Sequence, residues 1–156
     1  VVLEPEFIVA DEPVSMLDAS IRANILDLLE EFRVERGITF LYITHDLATA
    51  RYIGDRIAIM YLGKIVEQGL VDDVLNPYHP YTKALVSSIP VPDPEYTRKK
   101  KRVELKGEIP TPINPPSGCR LHPRCPYAMD VCKREEPPTI EVEKGHLVSC
   151  WLYTKR

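Results

Sequence analysis

Long apolar runs are absent from this chain of 156 residues, and so is a charged start followed by an apolar stretch. A bilayer-spanning helix needs about 20 apolar residues, so the sequence predicts no membrane span and shows no secretory signal. The formal net charge of −3 disfavours a general nucleic-acid or anionic-membrane binder. Cysteine is absent before residue 119. The hydrophobic fraction of 44% is enough for one modest core.

The segment from Phe7 to Asp18 reads FIVADEPVSMLD. Its four leading apolar residues run directly into two carboxylates, Asp11 and Glu12. An unbroken apolar run predicts a strand that is buried on both faces of a parallel sheet. Acidic groups are costly there unless they have a role, and the carboxyl ends of such strands are where open α/β sheets bind ligands.

A second segment repeats this design, because the β-branched and aromatic run from Ile38 to Thr44 ends in His45 and Asp46. One buried strand with two carboxylates and another with a histidine predict an edge that hydrolyses nucleotides.

Between the two segments lies a predicted helix. Asp18 is placed to cap a helix that starts at Ala19, and Gly37 is placed to end it. The apolar spacing predicts one buried face, formed by Ile21, Ile25, Leu28, Leu29 and Phe32. Strand, helix and strand together predict one right-handed βαβ unit.

Both segments resemble motifs of ABC-type ATPases. FIVADEPVSMLD is similar to the Walker B strand and D-loop, and LYITHDL, residues 41–47, is similar to the strand that carries the switch histidine. The two motifs occur in the family's order, about one helix apart. The resemblance implies an α/β fold, namely the C-terminal part of a P-loop NTPase core with a small loop-rich extension that contains cysteines.

The resemblance also implies roles for individual residues. Asp11 would hold Mg²⁺, directly or through water, and Glu12 would orient or deprotonate the attacking water. His45 would contact the γ-phosphate and keep the water and Glu12 in register. Ser15 and Asp18 would lie in the D-loop, which faces a partner subunit. The alternative is that Asp11 and Glu12 merely cap the turn that follows their strand.

The phosphate-binding pattern G-x-x-x-x-G-K-[ST] does not occur in the chain. In the family, this loop, the Q-loop and the LSGGQ-type signature all precede the Walker B strand. The resemblance therefore implies the C-terminal half of an ATPase. ATP and Mg²⁺ would require the other half, and we expect the chain on its own to be inactive as an ATPase.

Further elements narrow the resemblance. The sequence predicts a short helix over Leu47–Tyr52, a hairpin formed by Arg56–Tyr61 and Lys64–Gln68, and two short helices near 71–76 and 81–89. The segments MYLGKIVEQG and HPYTKALVSSIP are similar to those of the oligopeptide/dipeptide importer branch, which often carries a C-terminal extension with cysteines.

The composition changes near residue 90, because 4 prolines precede Pro90 and 11 lie from Pro90 onward. We therefore predict an ATPase part over 1–89, a proline-rich linker over 90–118 and a cysteine-rich extension over 119–156. The linker contains five consecutive basic residues, Arg98 to Arg102. We interpret them as a solvated face rather than a phosphate or lipid contact, because no aromatic residues interleave with the charge.

The four cysteines are Cys119, Cys125, Cys132 and Cys150, with spacings C-x5-C-x6-C-x17-C. Zinc usually comes with tight C-x2-4-C pairs, which are absent, and wider loops suit a four-iron cluster. The importer branch carries a similar pattern, which implies a [4Fe-4S] cluster. Zinc, with His122 or His146 as substitute ligands, stays open as an alternative, as do four unlinked thiols.

The resemblance implies an ATP-hydrolysing subunit of an ABC importer for oligopeptides or dipeptides. Its partners would be a second ATPase subunit, homologous or identical, and transmembrane permease subunits, with no nucleic acid. It would lie peripherally on the cytoplasmic face of the membrane. The alternative is a metal- or iron–sulfur-binding docking module with no enzymatic activity, which carries an inert ATPase remnant.

Overall fold

A computed structural model of the chain describes residues 4–89 and 103–154. These residues form two compact units that divide between Gly54 and Asp55. No helix in the described ranges is both long enough and apolar enough to cross a membrane.

The first unit contains a parallel strand pair. Its elements are β1 (Phe7–Asp11), α1 (Ala19–Arg36), β2 (Thr39–Ile43) and α2 (Leu47–Ile53). The strands pair from Phe7↔Thr39 to Asp11↔Ile43, so both strands end at the same edge. The predicted strand–helix–strand unit with parallel strands and the predicted short helix after it are therefore confirmed.

The prediction that these strands are buried on both faces is wrong for the described residues. One face is half-buried and consists of Ile8, Ala10, Phe40 and Tyr42. The other face is exposed and consists of the apolar residues Phe7, Val9, Leu41 and Ile43 with Thr39 and Asp11. The reason is topological, because the connection between two parallel strands can cover only one face of the pair.

Helix α1 begins and ends where the sequence predicts. Asp18 occupies the N-cap position, but its side chain forms no capping hydrogen bond, so the predicted side-chain cap is wrong. Its backbone carbonyl instead accepts the first helical bond, from the N–H of Arg22 at 2.8 Å. Gly37 ends the helix with a φ of 65°, a left-handed conformation that glycine adopts without steric cost.

The buried face of α1 is rotated relative to the prediction. Leu26 is the buried residue of the helix, whereas Ile21 and Leu28 are 46% and 39% exposed. The half-buried positions beside Leu26 include Arg22, Ile25, Leu29 and Phe32. Arg22 lies on the half-buried face of the helix because its guanidinium contacts Leu17 and Asp46. A pattern of apolar residues does not reveal such contacts.

The second unit contains a four-stranded sheet in the order β3-β4-β6-β5. Its elements in chain order are β3 (Arg56–Tyr61), β4 (Lys64–Leu70), α3 (Val71–Val74), α4 (Pro80–Ser88), α5 (Asp130–Arg134), β5 (Thr139–Glu143), β6 (His146–Ser149) and a 3-10 turn (Trp151–Tyr153). The predicted hairpin and the two short helices after it are confirmed.

The hairpin turns tightly at two residues with positive φ, Leu62 at 45° and Gly63 at 78°. Two positive φ values are typical of the type I′ turn, whose twist matches that of the flanking strands. The guanidinium of Arg120 donates a hydrogen bond to the carbonyl oxygen of Leu62, which ties the later part of the chain to the hairpin.

Buried Glu67 joins three segments of this unit. Its carboxylate accepts backbone hydrogen bonds from Tyr78 at 2.8 Å and from His79 at 3.1 Å. It also lies 2.8 Å from Nε2 of His146, and both side chains are fully buried. The Tyr78 ring packs edge-on against the rings of His146 and Tyr153. Three nitrogen atoms therefore lie within hydrogen-bond distance of the buried carboxylate, which offsets the cost of removing it from water.

The cysteine-containing tail is not a separate module among the described residues. Strand β6 pairs with β4 through Glu67↔Val148 and Gln68↔Leu147, so the tail completes the hairpin's own sheet. The described structure divides after residue 54, whereas the composition suggested divisions at residues 90 and 119. Residues 103–118 contain no helix or strand, and the basic run from Arg98 to Arg102 lies outside the described residues.

We predict that stability falls in mild acid because of His79, which is 1% exposed. Burial, followed by the charge of Lys83, lowers the pKa of His79 to about 4. Between pH 6.5, the ordinary pKa of histidine, and pH 4, His79 is protonated in the unfolded chain but stays neutral in the folded chain. The free energy of unfolding should therefore fall by up to about 3 kcal/mol over that window from this residue alone.

The matched variant is His79→Asn, because Asn still accepts the N-capping bond from the backbone of Tyr81 but does not titrate. Urea unfolding at pH 7 and at pH 4.5 should show a smaller loss for the variant than for the parent chain. Equal losses in both chains would contradict the assignment to His79.

Candidate active site

The structure brings Glu12 and His45 into contact at the shared edge of β1 and β2. Nδ1 of His45 lies 2.9 Å from Oε1 of Glu12. The backbone N–H of Glu12 donates to the carbonyl oxygen of Ile43 at 2.9 Å, which extends the ladder one residue beyond β1. Two side chains 33 residues apart therefore meet because their strands are parallel and end together.

Glu12 itself adopts an unusual backbone conformation, with a φ of 45°. This left-handed region costs a non-glycine residue free energy and is often found at functional sites. The carbonyl oxygen of Glu12 accepts hydrogen bonds from the Ser15 backbone at 3.2 Å and from its hydroxyl at 3.1 Å. The turn formed by these bonds directs the chain away from the sheet directly after the carboxylate.

The other residues predicted for the site lie at the same edge but make fewer contacts. Asp11 pairs in register with Ile43, is exposed and forms no hydrogen bond or ion pair among the described residues. Its oxygens are therefore available for a hard cation. Ser15 and Asp18 are also exposed, in the loop between β1 and α1, where a partner surface can reach them.

Asp46 was not predicted as a site residue, although it directly follows His45. Its carboxylate accepts hydrogen bonds from the Thr49 hydroxyl at 2.5 Å and from the Ala48 backbone at 3.0 Å, which caps α2. The Thr49 hydroxyl is the main cause that lowers the pKa of Asp46, with contributions from backbone N–H groups and Arg22. An Asp directly before a helix is a capping signal that the sequence does provide.

The cleft at this edge is small, with a volume of about 40 Å³. It is lined by the turn at Glu12 and Ser15, by His45, and by Arg22 of α1. A volume of this size holds about one water molecule. The described edge can therefore place a water beside Glu12 and His45, but it cannot enclose a nucleotide.

The four cysteines lie in the second unit, and none forms a disulfide. The backbone N–H of Cys119 donates to the carbonyl oxygen of Cys132 at 2.8 Å. Burial raises the pKa of the Cys150 thiol to about 12, and the thiols of Cys119, Cys125 and Cys132 are near enough to add to that shift. Burial also raises the pKa of Cys119 and Cys125.

No three His, Cys, Asp or Glu side chains within 4–89 and 103–154 are placed to hold a single metal ion. Nε2 of His146 lies 2.8 Å from Oε1 of Glu67, and its Nδ1 is buried without a hydrogen-bond partner among the described residues. Nδ1 of His122 lies 3.0 Å from the carbonyl oxygen of Cys119.

A family model described as the oligopeptide/dipeptide transporter, C-terminal region, matches residues 66–132. YkfD of Bacillus subtilis (strain 168) is 53% identical over 154 residues, which are 97% of this chain and 46% of YkfD. The oligopeptide transport ATP-binding protein OppF of Salmonella typhimurium is 50% identical over 96% of this chain and 45% of OppF. The oligopeptide transport ATP-binding protein AppF of Bacillus subtilis is 49% identical over 97% of this chain and 46% of AppF.

The chain thus spans about half the length of the curated relatives that it matches. These matches confirm the family resemblance that the Walker B, switch-histidine and HPYTKALVSSIP segments indicated.

We predict that the contact between Glu12 and His45 contributes little to folding. The two side chains are 46% and 74% exposed, and exposed pairs are worth about 0–1 kcal/mol. Glu12→Gln and His45→Ala should therefore each change the free energy of unfolding by less than about 1 kcal/mol in urea titrations. A larger loss would mean that the pair supports the fold. Lost activity in these variants could then result from unfolding rather than from a missing catalytic group.

Proposed function

We propose that this chain is a member of the family of oligopeptide transport ATP-binding proteins and that it supplies the hydrolysis edge of an ATP-driven importer of oligopeptides or dipeptides. The observation that carries the proposal is the 2.9 Å contact between Glu12 and His45 where two parallel strands end. Carboxylate and imidazole at that distance can hold one water between them and a phosphate.

Each residue at the edge has a distinct role in this proposal. Asp11, whose oxygens have no protein partner among the described residues, holds Mg²⁺ directly or through water. Glu12 orients the attacking water or takes its proton, and His45 keeps Glu12 in place and contacts the γ-phosphate. Ser15 and Asp18 lie in the exposed loop that faces a second ATPase subunit.

The remaining parts of the machinery come from outside the described edge. The 40 Å³ cleft cannot enclose ATP, and the chain contains no G-x-x-x-x-G-K-[ST] loop to cradle its phosphates. We propose that the nucleotide binds between this edge and a phosphate-binding half. We further propose that transmembrane permease subunits are partners and that the protein lies on the cytoplasmic face of the membrane.

The test is ATP turnover by a protein in which this chain is joined to its phosphate-binding half. Glu12→Gln should leave nucleotide binding intact and lower kcat by several orders of magnitude, because it removes the group that acts on water. Glu35→Gln is the matched control, because it changes an exposed glutamate elsewhere in the first unit. We expect no measurable turnover from the chain of 156 residues alone.

Two results would contradict the proposal. One is turnover by the joined protein that survives Glu12→Gln at the parent rate. The other is Mg-ATP turnover by the chain alone that Glu12→Gln abolishes, because that would remove the need for a separate phosphate-binding half.

We also propose that Cys119, Cys125, Cys132 and Cys150 ligate one [4Fe-4S] cluster. Support comes from the proximity of the thiols, because those of Cys119, Cys125 and Cys132 are near enough to help raise the pKa of Cys150. The backbone hydrogen bond from Cys119 to Cys132 supports it as well. The backbone at Gly118 lies so close to Cys132 that a Cβ at position 118 would be 2.5 Å from the Cys132 carbonyl oxygen. Glycine therefore permits the close approach of the two segments. A four-iron cluster spreads its thiolates further apart than one ion does, as the wide spacing of the cysteines requires.

The cluster, when bound, would supply four metal–thiolate bonds that order the tail. The chain's own contribution is to hold the thiols together, since β6 leads directly to Cys150 and α5 carries Cys132. Zinc stays the alternative, and it would require a compact single-ion site.

We predict about four irons and four sulfides per chain after anaerobic purification, with a broad absorption band near 400 nm. Cys132→Ser should lower the iron content sharply, whereas Ser149→Ala, next to Cys150, is the control and should retain it. Stoichiometric zinc without colour would favour the zinc alternative, and thiols that titrate freely in the folded chain would exclude both.

A further inference from the structure

Arg22 of α1 contacts two segments of the candidate active site that are distant in sequence. Its Nη2 donates to the carbonyl oxygen of Leu17 at 3.4 Å, in the loop that carries Ser15. Its Nη1 lies 3.7 Å from Oδ2 of Asp46, which directly follows His45. One side chain therefore bridges the loop after β1 and the segment after β2.

The far end of this bridge is held in place. Besides its contact with Arg22, the Asp46 carboxylate accepts hydrogen bonds from Thr49 and from the Ala48 backbone. The Asp46 backbone N–H donates to the Thr44 hydroxyl at 3.0 Å. These bonds restrain the backbone on both sides of His45, whose imidazole lies 2.9 Å from Glu12.

The Arg22 end of the bridge is partly buried. Nε of Arg22 is buried and has no hydrogen-bond partner within the part of the chain that the structure describes. The hydroxyl of Tyr42, on the half-buried face of β2, is likewise buried without a partner there. The contacts of the Arg22 guanidinium that the structure shows are those with the Leu17 carbonyl oxygen and the Asp46 carboxylate.

We propose that Arg22 is a positioning residue that couples the partner-facing loop at Leu17 to His45 through Asp46. The proposal rests on the function proposed above for Glu12 and His45. No hydrogen bond or ion pair joins Arg22 to either of them among the described residues, so Arg22 acts through Asp46. A movement of the loop is thereby transmitted to the imidazole that faces Glu12.

A purely structural role for Arg22 makes different predictions. Both partners of the ion pair are 38% exposed, so the pair contributes little to stability. A structural tie would change stability without changing the geometry of His45. The test must therefore report on the imidazole directly, at fixed pH and without requiring ATP turnover.

The first experiment measures the ¹⁵N shifts of the His45 imidazole in the chain of 156 residues. Arg22→Gln should move these shifts toward those of Glu12→Gln, which serves as the reference for a broken contact. Arg22→Lys, which keeps a cation opposite Asp46, should recover part of the change. Arg33→Gln is the matched control, because Arg33 lies on the same helix but pairs with Glu30 at 2.8 Å.

Asp46→Asn provides an independent route to the same result, because Asn still caps α2 but loses the charge that faces Arg22. It should move the His45 shifts as Arg22→Gln does, and it keeps the test valid if Arg22→Gln does not fold. Unchanged His45 shifts in a folded Arg22→Gln or Asp46→Asn chain would overturn the proposal.

The second experiment measures ATP turnover in the protein joined to its phosphate-binding half. Arg22→Gln should lower kcat about tenfold and leave KM for Mg-ATP within about twofold, because Arg22 acts on geometry rather than on nucleotide binding. A rise in KM with unchanged kcat would contradict the proposal. If Glu12→Gln leaves turnover intact, the proposed function fails, whereas the shift experiment still decides the coupling.

Discussion

The parallel register of β1 and β2 is the constraint on which the functional edge depends. Asp11 pairs with Ile43, and the bond from Glu12 to Ile43 extends the ladder, so Glu12 and His45 emerge side by side. Side chains alternate between the faces of a sheet, so a slip of one residue would send Glu12 to the opposite side from His45. Helix α1 connects the two strands and carries Arg22 to the same edge.

In the second unit, the corresponding role belongs to buried Glu67. A carboxylate without exposure needs donors, and it finds them in the backbone at Tyr78 and His79 and in the ring of His146. The donors come from two places in the sequence, residues 78–79 and residue 146, and the carboxylate lies in a third, so the hairpin, the start of the HPYTKALVSSIP segment and the tail must assemble together. Removal of one donor would leave a buried charge poorly satisfied, which is costly.

The sequence predicts the features that depend on local pattern. The apolar run into Asp11 and Glu12, the helix that ends at Gly37 and the hairpin turn at Leu62 all depend on periodicity or turn chemistry, and the structure has them. The pairing of β6 with β4 joins Glu67 to Val148 and Gln68 to Leu147, residues far apart in the sequence, and no local pattern encodes such a contact. The exposure of the sheet face that contains Phe7 was not predicted, because an apolar run does not reveal whether each face of a strand is covered.

Side-chain contacts explain the other differences. Asp18 stands at the N-cap position, yet its carboxylate makes no capping bond, because position alone does not fix a rotamer. In the sequence, nothing distinguishes Arg22 and Asp46 from other polar residues. The structure shows that their ion pair connects the two sides of the cleft. The meeting of Glu12 and His45 followed from their strand-end positions once the strands were taken as parallel.

The most direct test of the central claim, that Glu12 and His45 act as one unit on water, is a double-mutant cycle in kcat. It requires the joined protein with Glu12→Gln, His45→Ala and both changes together. If the two residues act as one unit, the double variant should be about as slow as the slower single variant, because removing either group already disables the pair. Losses that multiply in the double variant would show that the two residues act independently and would contradict the account.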